Sequence, residues 1–130
     1  MSFASPQFEL TEEQPEEGVR VITVTGEIHV TTAPDFSSRL GEAIASEAPS
    51  VVIDLSGVEF IDSTGLSVLL NGLRRVTRSH GRMALVVSNP TVLRLFEVTR
   101  LDSTFDIQPT PEAALARVQS VDGRSNGGAP

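Results

Sequence analysis

Apolar and polar residues alternate with two different periods along this chain, and the switches between them divide it into short strands and helices. Val19–Thr25 reads as the first firm strand, with Val19, Val21 and Thr23 on one face and Ile22 and Val24 on the other. Apolar positions on both faces predict cover on both sides. Ahead of it, Phe8–Leu10 reads as a short edge strand and the acidic, proline-containing stretch Thr11–Gly18 as a solvated turn. Gly26 interrupts the strand as a bulge or bend, and Glu27–Val30 continues it briefly. A helix follows, with Thr31 or Thr32 as N-cap and Pro34 in the first turn. Its apolar stripe is Phe36, Leu40, Ala43, Ile44 and Ala48, and Pro49 closes it.

Val51–Leu55 is an almost unbroken apolar run, as expected of a strand at the centre of a covered sheet. Ser56–Ile61 reads as a turn and a short extended stretch. Asp62-Ser63-Thr64-Gly65 then opens a second helix that runs to about Arg78. Leu66, Leu69, Leu70, Leu73 and Val76 form its core-facing stripe, and Arg74, Arg75 and Arg78 suit the negative end of its dipole. His80-Gly81 breaks it. Met83–Val87 is a third core strand, and Asn89-Pro90 begins a short helix ending near Val98. Phe105–Ile107 is a weak strand. Pro111 opens a last helix to Gln119, with Ala114, Leu115 and Val118 facing inward. This alternation predicts an α/β fold: a mixed central sheet with helices packed mainly on one face and right-handed crossovers.

A chain of 130 residues suits one domain with a self-sufficient core. The expected limits are a flexible N-terminus at 1–7, the domain at 8–120 and a disordered Gly-rich tail at 121–130. There is no cysteine, which excludes disulfides and thiolate metal sites. The formal net charge of −7 disfavours nucleic acid and anionic membrane as partners and favours basic patches on other proteins. No apolar run is long enough to span a bilayer, and the N-terminus lacks the pattern of a signal peptide. The expected location is therefore the cytoplasm.

Familiar catalytic arrangements are missing. His29 and His80 are the only histidines and lie far apart, so a metal site is not expected. No Walker loop, G-x-G-x-x-G or G-x-S-x-G motif occurs. Asp62-Ser63-Thr64-Gly65 looks like an aspartic-protease turn, but that chemistry needs a second copy to share the proton, and none exists. No cofactor and no catalytic residue is expected.

The informative stretch is Val51–Arg75, VVIDLSGVEFIDSTGLSVLLNGLRR. Taken by itself, Ser63 is an ordinary helix N-cap, a task that Asp62 could equally perform. The whole segment, however, resembles the signature of the STAS domain, and in particular that of bacterial anti-sigma factor antagonists. Val24-Thr25-Gly26-Glu27-Ile28 resembles the family's early Gly-Glu-[Leu/Ile] strand. Asn89-Pro90-Thr91-Val92-Leu93-Arg94-Leu95-Phe96 resembles its later proline-led helix. The likeness extends from about Val19 to Val118.

That resemblance implies a partner-switching regulator of transcription, of the kind used in stress responses. Its partner would be an anti-sigma factor that is also a serine kinase, and a PP2C-type phosphatase would restore the unmodified form. The implied phosphorylation site is Ser63, with Thr64 as the adjacent alternative. The implied docking surface comprises Glu27, His29, Thr31, Asp62, Ser63, Thr64, Gly65 and Ser67. His29 stands where the family often has aspartate, and Ser67 where many members have glycine. Two other readings remain open from sequence. One is a STAS scaffold or lipid-transport subunit without sigma-factor output. The other is a nucleotide module with phosphate on the amides of Thr64 and Gly65.

Overall fold

The computed structural model describes residues 8–45 and 50–119. The expected loose N-terminus, the Ala48–Pro49 end of the first helix and the Gly-rich tail lie outside these residues. Chain order is β1 (Phe8–Glu16), β2 (Val19–Ile28), α1 (Ala33–Ala45), β3 (Ser50–Ile61), α2 (Ser63–Arg78), β4 (Met83–Val86), α3 (Pro90–Val98), β5 (Asp106–Gln108) and α4 (Pro111–Gln119). The sheet is mixed and keeps sequence order, β1-β2-β3-β4-β5. Only β1 runs antiparallel to its neighbour.

Two apolar layers sandwich the sheet. On one side Ile22, Val24, Ile53 and Leu85 meet Phe36 and Leu40 of α1, Leu69 and Val76 of α2, and Phe96 of α3. On the other, Val19, Val52, Ala84 and Val86 meet Ala114 and Val118 of α4. Three helices therefore cover one face and one covers the other, as the two-faced apolar pattern of β2 and β3 requires. Phe36 and Phe96 are fully buried. Each such side chain contributes about 1.5–3 kcal/mol relative to exposure.

Two expectations need correction. The stretch Thr11–Glu16 is strand and not turn: β1 pairs with β2 from Phe8↔Gly26 to Glu16↔Val19, and the reversal shrinks to Glu17 and Gly18. Backbone pairing outweighs the low strand propensity of its glutamates, which an edge strand can turn to water. Pro15 is tolerated because the register slips between Glu13 and Glu16. Likewise Ser56–Ile61 continues β3 without a turn. The turn-like residues Ser56 and Gly57 fall where β3 slips one residue against β2, between Thr23 and Thr25. There Asp54 Oδ1 accepts from the Ser56 amide at 2.9 Å and its hydroxyl at 2.6 Å, stabilising the irregularity. A second slip follows at Gly26/Glu27, where Gly26 has φ 98°. That agrees with the bulge expected at Gly26.

The helix boundaries follow their local chemistry. Asn89 Oδ1 caps α3 by accepting from the Thr91 amide at 2.8 Å. At the end of α2, His80 N–H donates to Thr77 O at 3.0 Å and Gly81 N–H to Val76 O at 2.9 Å. This is a Schellman closure, with His80 and not Gly81 in the left-handed region at φ 64°.

Candidate functional site

The carboxyl ends of β2 and β3 support one side of the molecule, and α2 begins there. Asp62 leaves β3 in an extended conformation and caps the helix: its Oδ1 accepts from the amides of Thr64 at 2.9 Å and Gly65 at 3.2 Å. Sequence left the cap open between Asp62 and Ser63, and geometry decides for Asp62. Ser63 becomes the first helical residue, exposed, with its hydroxyl in no hydrogen bond among the described residues. Thr64 is half-buried, and Ser67 is exposed one turn further along the same face. Gly65 is buried because α2 presses directly onto the strand ends. A Cβ there would sit 2.7 Å from both Ile28 Cγ2 and Ile61 Cγ1, too close for any side chain.

The loop after β2 is held against this helix start. Asp62 N–H donates to Ile28 O at 3.1 Å, so the cap residue is itself anchored by the neighbouring strand. Thr32 occupies the cap position of α1, accepting the Phe36 amide through its carbonyl at 3.1 Å. Its hydroxyl works elsewhere: it donates to Glu27 O at 2.8 Å and accepts from the His29 amide at 3.0 Å, closing the loop on itself. His29 Nδ1 accepts from the Thr31 amide at 3.2 Å, and its Nε2 lies 3.4 Å from Glu27 Oε1. The His29 ring also tilts against Phe60, with centroids 6.4 Å apart.

The structure thus brings the sequence-derived residues together on two adjoining pieces. Asp62, Ser63, Thr64, Gly65 and Ser67 form the helix start, while Glu27, His29 and Thr31 belong to the bonded loop. Sequence reasoning missed Phe60, which is 48% exposed beside His29. It lies where two successive register slips of β3 against β2 interrupt the side-chain alternation, so periodicity in the sequence gives no signal for its face. Among the described residues, no group of three or more His, Asp or Glu side chains could hold a metal ion. No helix among the described residues is long and apolar enough to cross a membrane.

Sheet order and the helix start at the carboxyl ends of parallel strands place the chain among small mixed α/β domains. The particular family is settled by sequence: the STAS domain matches residues 11–114, and the chain belongs to that family. The resemblance carried by Val51–Arg75 is borne out. The anti-sigma-F factor antagonist RsfB of Mycobacterium tuberculosis is 33% identical over 102 residues, 78% of this chain and 83% of the relative. The anti-sigma-B factor antagonist of Bacillus subtilis is 30% identical over 94 residues, 72% of this chain and 85% of its own. A crystal structure of an anti-sigma factor antagonist from Mycobacterium paratuberculosis superposes with a TM-score of 0.80 at 35% identity. It covers 90% of this chain and 99% of that one.

Proposed function

We propose that this protein is an anti-sigma factor antagonist of the cytoplasm that acts by docking and not by catalysis, and that phosphorylation of Ser63 switches it off. Its partner on this reading is an anti-sigma factor with serine kinase activity, and a PP2C-type phosphatase reverses the modification. The relatives named as anti-sigma factor antagonists support the class of activity. The observation that carries the switch is the division of labour at the start of α2: Asp62 caps, and the Ser63 hydroxyl is exposed and unbonded among the described residues. A kinase can therefore take that hydroxyl without dismantling a cap. The docking surface on this reading is Asp62–Gly65 and Ser67 together with Glu27, His29 and Thr31.

Phosphate at Ser63 adds about −1.5 to −2 charge at the positive end of α2, a position that the helix dipole favours. The fold survives. In a contact surface beside Asp62 the same charge must be desolvated and repels any acidic partner group. A loss of about 3 kcal/mol there weakens binding more than a hundredfold. Thr64 is a poorer acceptor on this geometry, being half-buried behind the cap.

The test uses the unmodified protein, Ser63→Ala and Ser63→Asp as baits in native cytosol, with phosphosite mapping after incubation with the captured kinase and ATP. Wild type and Ser63→Ala should retain an anti-sigma kinase that Ser63→Asp loses, and phosphate should map to Ser63. Equal retention by all three baits would refute the switch. An ATPase transporter as the captured partner would instead favour a transport subunit.

A further inference from the structure

A groove of about 530 Å³ lies outside the Ser63 surface, between the end of β3 and α3. Phe60 and Ile61 form one wall, and Thr91, Leu95 and Val98 form the other. Its volume falls within the range of small-molecule sites. The helix α3 buries Val92 and Phe96 in the core, Leu95 packs half-buried against that core, and Val98 is left exposed beside it. Phe60 at 48% and Val98 at 62% are two of the exposed large hydrophobic residues, and both border this groove.

Charge sets the polarity of the occupant. Among the described residues, Arg94 is the only charged one lining the groove, and no carboxylate lines it. Arg94, like Arg75, Arg78 and Arg100, forms no side-chain ion pair or hydrogen bond among the described residues, and of these four it alone lines the groove. An exposed guanidinium among the lining residues of an otherwise apolar groove suits an anionic head group with an apolar tail. We propose that this groove binds a small amphipathic carboxylate of the medium-chain acyl class. Arg94 takes the head group, and Phe60, Ile61, Leu95 and Val98 take the chain. The occupant would touch Phe60 and Ile61, the strand end that leads into Asp62 and Ser63. The inference stands on the groove alone and does not depend on sigma-factor regulation.

Methyl-resolved NMR of the full chain, titrated with sodium decanoate below its micelle concentration, tests the proposal against decanol as the uncharged control. Decanoate should shift the Ile61, Leu95 and Val98 methyls saturably and bind about tenfold tighter than decanol. Arg94→Gln should erase that preference, and Val98→Ser, at an exposed position, should weaken both ligands. Non-saturable shifts, shifts centred elsewhere, or equal binding of decanol by the wild type would overturn the proposal. So would methyls that move only with protein concentration, which would mark a self-association face. Methyls that ignore decanoate and answer only to an added anti-sigma factor would assign the groove to a protein partner.

Discussion

Asp62 and Ser63 are neighbours with separate duties, and the separation has measurable thermodynamics. Asp62 satisfies two otherwise orphaned amides of α2, so Asp62→Ala should cost about 1 kcal/mol of stability. Ser63→Ala removes a hydroxyl without a bond among the described residues, and should stay within about 0.5 kcal/mol of wild type. Urea unfolding of the two variants checks this, and equal losses would show that Ser63 shares the cap. At this scale the sequence was legible in part. It placed the start of α2 at Asp62 to Gly65, but both Asp and Ser are good caps, so residue type alone could not choose between them. The choice comes from β3, which delivers Asp62 in an extended conformation with its amide already donated to Ile28.

Elements joined by side chains respond to pH. The short strand β5 is tied to α4 by Asp106, whose Oδ2 accepts from Arg117 Nε at 2.7 Å while Oδ1 accepts from Gln108 at 2.7 Å. Partial burial pushes the Asp106 carboxyl up, but the bonds from Arg117 and Gln108 outweigh it and hold the group below its ordinary value of 3.8. A lowered carboxylate stabilises the fold above its unfolded pKa, and that stability is lost as pH falls through the folded pKa. Arg117 is 55% exposed, so solvent screening limits the pair to at most about 1 kcal/mol. Arg117→Met should therefore be less stable than wild type at pH 7, and the gap should narrow by about pH 2 as Asp106 protonates. Paired urea curves at the two pH values test this. A gap unchanged at low pH would assign the loss to packing.

Helices were easier to read than strands for a related reason. Caps, Pro90, Pro111 and the His80-Gly81 break are local signals, whereas the length of β1 and the continuity of β3 depend on partners distant in sequence. Glu12, Glu13 and Pro15 look like a turn until Val21 and Ile22 lie alongside. Phe60 falls in a stretch that reads as turn and short extended segment, because two register slips against β2 interrupt the alternation that would assign its face.

On the scale of the whole molecule, β1 and β5 are the sheet's two edges, and β1 is the longer, with nine residues. Its sequence places Glu9, Glu12, Glu13 and Glu16 along that edge, with Pro15 at the slip. Charge and proline discourage a second chain from adding a strand. Replacing the exposed Glu9 and Glu13 by Val should give self-association that grows with concentration, visible by light scattering, while each chain keeps its fold. A variant that stays monodisperse at high concentration would show that the edge needs no such guard. A regulator that works by capturing its partner one-for-one must be at least as abundant as that partner, and its effect ends when free copies run out. On the proposed docking function, an acidic edge that discourages strand addition would widen the range of cellular dosage over which each added copy stays available to its partner.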